Sequence, residues 1–289
     1  MKAIITQGIS GSGKSTWASN LCRKDGNYVN VNRDDIRFGM YGLRCWDDYS
    51  FNRNKENFVT QASYKLLEAA SEANKNVVVS DTNLSEKTCQ KLIQKLTELG
   101  YDKISFEKFY VDFDEAVRRD NARANGVGER VIWKQYLKFQ GMEGQFYEGN
   151  PNAPEAVIFD IDGTLAKMHD RGPFDWGKVG NDHVRDHVKR MLDAEREHGY
   201  DIILCSGRDS ICRPETEQWL IDHDIVYDAL FMRPEGSNEK DTVIKQGFLF
   251  NECSNWNVVR VYDDRPCVLK MWLSLGLDVV SVGDPYFEF

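Results

Sequence analysis

Two stretches of this chain gather residues suited to handling phosphate. Ala156–Leu165 reads Ala-Val-Ile-Phe-Asp-Ile-Asp-Gly-Thr-Leu, a short apolar run that ends in Asp160 and Asp162 on either side of Ile161. Residues two apart at a strand end point the same way, so the two carboxylates are expected to face one pocket. Gly163 leaves the backbone free to turn there. A second acidic pair, Asp263-Asp264, follows the apolar run Val258–Tyr262. Carboxylates gathered in this way repel one another and raise each other's pKa. A Mg²⁺ among Asp160, Asp264 and Asp263 would remove that penalty. Near the N-terminus, Gly8-Ile9-Ser10-Gly11-Ser12-Gly13-Lys14-Ser15-Thr16 contains the spacing GxxxxGK[ST]. Gly8, Gly11 and Gly13 let successive N–H groups converge on phosphate oxygens at a helix N-terminus. Ser12 and Thr16 belong to the same nucleotide-binding turn. Lys14 is placed to reach the β- and γ-phosphates, and Ser15 to ligate Mg²⁺.

These motifs need a strand before them and a helix after them, and the sequence supplies both. Lys2–Thr6 reads as a buried strand and Thr16–Arg23 as a helix. A second strand, Tyr28–Val31, leads into Asn32-Arg33-Asp34-Asp35-Ile36-Arg37. A carboxylate beside a phosphate-binding loop could accept a proton from a hydroxyl acceptor, which suits Asp34. Arg37, three residues on, shares its helical face and could clamp a substrate phosphate. An N-cap aspartate with a helical ion pair would look the same. Asn52–Ala73 reads as a long scaffold helix and Val77–Ser80 as a strand. Asp81-Thr82-Asn83 follows, with Asp81 able to orient either metal or acceptor. Ser85–Leu99 is helical, Lys103–Tyr110 a strand, and Phe113–Ala124 a helix carrying Arg118, Arg119 and Arg123. Four-residue spacing puts Arg119 and Arg123 on one face. Gly126 and Gly128 loosen the chain before a helix near Arg130–Phe139.

Residues 143–154 are rich in Gly and Pro and read as a linker between a domain at 1–142 and one at 155–289. In the second half, Asn181 is expected to cap a helix running to about His198. Asp201–Cys205 is a strand ending in Ser206-Gly207-Arg208, and Pro214 opens a helix that ends near Leu220. Ala229–Met232 and Asp278–Val282 read as strands, and Asp241–Phe250 as a helix bearing Asp241 and Lys245. Strand and helix alternate in both halves, which predicts two doubly wound α/β domains with parallel sheets. Only a loop and one helix fit between Thr164 and Ser206, so the second domain has a minimal cap and an open site.

Composition narrows the classes further. Of the net charge of −9, the first 150 residues carry +2 and the remainder −11. An acidic second half is a poor track for a phosphate backbone, so local arginine clusters would have to hold a nucleic-acid end. Seven cysteines with no CxxC pair suit reduced thiols in a cytoplasm. No apolar run is long enough to span a bilayer.

The order P-loop, Asn-Arg-Asp-Asp-x-x-Arg, Ser-Asp-Thr-Asn and Arg with Arg four later resembles polynucleotide 5′-hydroxyl kinases. The DxDGT motif resembles the haloacid dehalogenase superfamily of aspartate-nucleophile phosphatases. Together they resemble the phage-type polynucleotide 5′-kinase/3′-phosphatases along almost the whole chain. The resemblance implies that Asp34 is the general base and that Arg37 contacts a substrate phosphate. It implies that Thr82, Arg119 and Arg123 hold the donor phosphates, the arginines from a lid. Asp160 would be the nucleophile and Asp162 the acid that protonates the leaving oxygen, Asp162 also being counted in the metal set. Ser206 and Lys245 would bind phosphoryl oxygens, and Arg171, Gly207, Arg208 and Asp241 would shape the substrate site. ATP or another nucleoside triphosphate, Mg²⁺, RNA or DNA ends, a separate downstream ligase and a homotetramer in a host cytoplasm complete the expectation. Two rivals stay open: a fused metabolite kinase and phosphatase, and an end-binding protein with an ATPase switch.

Overall fold

The computed structural model describes residues 1–284, so residues 285–289 of the expected second domain lie outside the described residues. The chain divides into two compact units, Met1–Gly144 and Gln145–Phe289.

The first unit runs β1 (Lys2–Gln7), α1 (Lys14–Lys24), β2 (Tyr28–Val31), α2 (Arg33–Tyr41) and α3 (Arg53–Glu72). It continues with β3 (Asn76–Val79), α4 (Glu86–Glu98), β4 (Lys103–Lys108), α5 (Phe113–Asn121) and α6 (Glu129–Met142). Its parallel sheet has the order β2-β3-β1-β4. The order in which strands are added reverses beside β1, so the crevice at the carboxyl ends of β1 and β3 is where a ligand is expected. Both strands deliver their motifs there. Thr6 Oγ1 donates to the Asp81 carbonyl at 3.0 Å and Asn83 Nδ2 to the Thr6 carbonyl at 2.8 Å, which ties the two strand ends together.

In the second unit, β5 (Glu155–Phe159) precedes a small antiparallel hairpin, β6 (Ala166–Lys167) and β7 (His183–Val184). Then come α7 (Asp186–Glu197), β8 (Asp201–Asp209), α8 (Arg213–Asp222), β9 (Ala229–Arg233) and α9 (Asp241–Gly247). β10 (Asn257–Asp263), α10 (Pro266–Ser274) and β11 (Asp278–Ser281) close the unit. The parallel sheet order is β11-β10-β5-β8-β9, with β5 at the reversal point. Period-2 alternation along β5 explains its unbroken apolar run: Val157 and Phe159 enter one core cluster, Ala156 and Ile158 the other.

Several sequence expectations need correction. Asn181 does not cap a helix; it ends a 3-10 segment, and α7 begins at Asp186 only after β7 has paired with β6. β4 stops at Lys108, where β1 runs out of pairing partners, instead of reaching Tyr110. β8 runs past Cys205 to Asp209, because an irregularity after Ser206 lets Asp209 pair with Arg233. α9 ends at Gly247 and continues only as a π turn to Glu252. α5 ends at Asn121, so Arg123 lies beyond the helix and shares no helical face with Arg119.

Two candidate phosphoryl-transfer sites

In the first unit, the turn after β1 wraps the N-terminus of α1. Gly13 holds the cap position at φ 96°, which β-carbon sterics deny most residues. Gly11 has φ 81°, and a Cβ there would fall 2.5 Å from the Ala116 carbonyl, so the turn is seated directly on α5. Lys14 is buried, its Nζ donating to the Ile9 carbonyl at 2.7 Å and approaching Ser12 Oγ at 3.2 Å. Burial, with Arg123 second, lowers its pKa to about 8.

An open cavity of 850 Å³ lies over this turn, and Ser15, Thr16, Asp34, Arg37, Arg119 and Arg123 are among its lining residues. Asn32 caps α2, its side-chain Oδ1 accepting from the Asp34 and Asp35 amides at 2.9 and 3.1 Å. That cap places Asp34 at the cavity with its side chain 54% exposed, bonded to Arg37 Nη1 at 2.6 Å. Asp81 sits beside it, accepting from the Arg33 amide at 2.8 Å, and burial lifts its pKa to about 6. Arg37 is less free than the sequence suggests. Its Nε and Nη2 donate to the two oxygens of Glu56 at 3.0 and 2.6 Å, while Arg33 and Tyr49 converge on the same carboxylate. Glu56, nineteen positions away on a helix read as scaffold, is thus the residue that sets Arg37, and sequence spacing carries no signal of it.

The lid arginines are positioned differently. Arg119 is held by Glu115 at 2.7 Å and donates to the Gly11 carbonyl at 3.3 Å. Arg123 is paired with the buried Asp120, which also accepts from the Gly128 amide at 2.9 Å. Asp120 therefore ties together the end of α5 and the start of α6 across the glycine-rich loop. Arg118 pairs with Glu115 and is not among the cavity's lining residues. Thr82 lines the cavity, and its carbonyl accepts from the Gly8 amide at 3.1 Å.

In the second unit, β5 ends at Phe159 and the chain turns through Asp160–Leu165. Gly163 has φ 84°, and a Cβ on it would lie 2.0 Å from Asp264 Oδ2, so the turn presses against the end of β10. Lys245, delivered by α9, bridges Asp160 Oδ1 and Asp263 Oδ2 at 2.8 Å each, with Asp241 at 3.5 Å. All four groups are buried. Burial would lower the Lys245 pKa, but Asp160, Asp263 and Asp241 push it well above the ordinary value. Burial raises Asp160, with Asp263 and Asp264 adding to it against the pull of Lys245. Burial and Asp263 lift Asp264 to about 6.

Oxygens of Asp160, Asp263 and Asp264 lie within 4.8 Å of one another, an all-oxygen donor set that fits a hard divalent cation. Three clustered carboxylates facing one ammonium leave negative charge that such an ion would neutralise. The Asp162 carboxylate is not in this set. It turns instead to Arg208 Nε and Nη2, at 2.9 and 2.8 Å, and to Arg171 Nη2 at 2.6 Å. The strand has already ended at Phe159, so strand alternation no longer governs where the two aspartates point. Burial would raise the Asp162 pKa, but Arg208 and Arg171 outweigh it and hold the carboxyl below its usual range. Both arginines also bond Asp182, whose carboxylate is fully buried and which belongs to no motif. As placed, Arg171 and Arg208 clamp Asp162 between β5, the 3-10 segment and β8.

Ser206 is buried on β8 with its Oγ accepting from the Arg208 amide at 3.1 Å. A Cβ on Gly207 would lie 2.6 Å from Asp241 Oδ1, so glycine is what lets β8 meet the start of α9. Asp241 is also faced by Arg233 and Arg265, each at 3.4 Å.

Comparison with known proteins agrees with this division. Residues 154–287 match the family model of the polynucleotide kinase PNKP phosphatase domain, and residues 4–140 match that of the AAA domain. A protein of Autographa californica nuclear polyhedrosis virus, provisionally named a bifunctional polynucleotide kinase/RNA ligase, is 32% identical across 99% of this chain. The chain spans 43% of that relative's length. A chain from the structure of a Pnkp1/Rnl/Hen1 RNA repair complex is 30% identical, covering 99% of this chain and 97% of its own, with a TM-score of 0.47. A second structure of that complex aligns at 29% identity over the same shares, also with a TM-score of 0.47. The chain thus joins an AAA domain at residues 4–140 to the phosphatase domain of the polynucleotide kinase PNKP family at residues 154–287.

Proposed function

We propose that this protein heals nucleic-acid ends, transferring the γ-phosphate of ATP to a 5′-hydroxyl and hydrolysing a 3′-phosphate to a 3′-hydroxyl. The observation that carries this is the presence, on one chain, of two phosphate sites built for opposite reactions. In one, a carboxylate stands beside a P-loop lysine. In the other, a buried aspartate is poised with a lysine and more carboxylates.

In the first unit, Lys14, Arg119 and Arg123 bear on the donor phosphates. Asp34 accepts the proton of the attacking hydroxyl, and Arg37 keeps that carboxylate in place. Thr82 joins the arginines at the donor phosphates, Asp81 closes the acceptor side, and Ser15 would hold the nucleotide's Mg²⁺. In the second unit, an Asp160 oxygen attacks phosphorus and the bond to the 3′-oxygen breaks, with that oxygen taking a proton from Asp162. Water then attacks the aspartyl phosphate, giving its proton to Asp162 and releasing phosphate. Arg171 and Arg208 keep Asp162 ionised before substrate arrives, which suits the second half. The first half requires the carboxyl to take a proton from bulk water as the phosphate dianion enters, and that proton returns to water after the product leaves. Lys245, Ser206 and Arg208 line the ground around the phosphoryl group. When bound among Asp160, Asp263 and Asp264, Mg²⁺ supplies positive charge that offsets the clustered carboxylates. A separate ligase would seal the healed ends, and a homotetramer remains the assembly expected from the resemblance.

The test uses RNA and DNA oligonucleotides bearing 5′-OH and 3′-phosphate, with ATP and Mg²⁺, read by mass. Gain of a 5′-phosphate and loss of the 3′-phosphate is expected. Unchanged ends together with phosphorylation of a small metabolite would establish the metabolite rival instead.

A further inference from the structure

Beside the phosphatase turn lies a second open cavity, of 790 Å³, that no step above uses. Gly163 forms one wall, so the cavity begins where the nucleophile turn ends. The remaining lining comes from the β6–β7 hairpin and the start of α7, and it includes Lys167, Arg185, His187 and Arg190, with Asp186 as the one acid. This concentration is unexpected in a half of the chain whose net charge is −11. A cavity of this size is comparable to a small-molecule site, ~300–1,000 Å³, and far exceeds one phosphate group.

The cations are held apart from the acids around them. Arg185 donates to the Gly163 carbonyl and, at 2.9 Å, to the Val282 carbonyl, which fixes it between the turn and the end of β11. Lys189, on the same helix, is paired with Asp193 at 2.9 Å. Among the described residues, Lys167 and Arg190 have no such carboxylate partner, and both are exposed. Unpaired cations lining a groove that opens from the reaction turn are suited to a polyanion whose end is in that turn.

We infer that this groove is the track for the strand carrying the 3′-phosphate, with Lys167, Arg185 and Arg190 neutralising backbone phosphates on the 5′ side of the reacting end. The inference rests on the end-healing reading and adds the path of the polymer to it. It accounts for how an acidic domain acts on a nucleic acid: three cations concentrated at the mouth do what the whole surface cannot.

The experiment compares the intact protein with Lys167→Glu/Arg190→Glu, both surface positions, after circular dichroism confirms folding. Hydrolysis of a 3′-phosphorylated ten-nucleotide RNA is measured against that of a nucleoside 3′-monophosphate, across a salt series. The inference expects the ratio of the two kcat/KM values to fall by roughly tenfold or more. Loss of each phosphate contact should also lower the salt slope for the oligonucleotide by about 0.7. An unchanged ratio with an unchanged slope overturns the track. If the unaltered protein hydrolyses small phosphate esters but no 3′-phosphorylated RNA or DNA, end-healing itself fails and the track falls with it. That outcome is visible before any variant is made.

Discussion

The two sites handle charge in opposite ways. Around the P-loop, the charged groups that line the cavity are partly solvated: Asp34 is 54% exposed, and the side chains of Arg119 and Arg123 are 46% and 44% exposed. Around Asp160 most of the charges are buried and already engaged, Lys245 with Asp160 and Asp263, Arg171 and Arg208 with Asp162 and Asp182, and the acids outnumber the one lysine among them. The first arrangement lets arginines move onto a nucleotide after it binds. The second holds its geometry in advance, at the cost of desolvating many ions. A transferred phosphoryl group needs cations that arrive with it, whereas an in-line nucleophile needs fixed placement.

Breaking the buried site at Asp160, the proposed nucleophile, should have the largest effect. Asp160→Asn keeps the volume but removes the attacking oxyanion, and phosphatase kcat should drop by about 10⁴-fold or more, as for other single nucleophile losses. Kinase activity measured on the same preparation should persist. Next is the lid. Arg123→Ala should lower kinase kcat by roughly 10³-fold if that arginine offsets transition-state charge, as arginine fingers do. An unchanged rate in steady-state kinetics would move the role to Arg119.

The contrast in burial predicts a contrast in stability. Asp182→Asn leaves two buried guanidinium groups short of a partner and should cost about 3 kcal/mol in urea unfolding. Glu56→Gln, at a site 27% exposed, should cost clearly less. Equal losses would remove the distinction between the two regions. The smallest effect concerns pH. Lys14 in the free protein has a pKa of about 8, below its ordinary 10.5. Its proton is bound below pH 8 and lost above it, so ATP affinity should fall by up to about tenfold per pH unit above 8. Titration calorimetry with Lys14→Met should show no such slope.

What could be read from sequence was what is written locally. GxxxxGK[ST] and DxDGT specify backbone turns, so Gly11, Gly13, Lys14 and Gly163 could be placed without knowing the tertiary fold. Asn32-Arg33-Asp34 encodes its own cap. The partners that set the charges were not legible. Glu56, Asp120 and Asp182 act through burial and through contacts set by packing, and isolated acids of this kind resemble solvated ones in a sequence. The same blindness explains Arg123: a four-residue spacing implies a shared face only if the helix continues, and here it ends at Asn121. Strand alternation stops at Phe159, so it carries no signal that Arg171 and Arg208 hold the Asp162 carboxylate away from the Asp160, Asp263 and Asp264 set.

The proposed function puts two independent and complementary end reactions on one chain. The most direct measurement uses nicked RNA with 5′-OH and 3′-phosphate ends, treated with Asp160→Asn, with Lys14→Ala, or with both proteins mixed, and then given a separate RNA ligase. A 5′-phosphate, 3′-phosphate break is expected from the first and a 5′-OH, 3′-OH break from the second. Neither should be sealed, and the mixture should be. Sealing with either variant alone, or failure of the mixture while the unaltered protein succeeds, would contradict it.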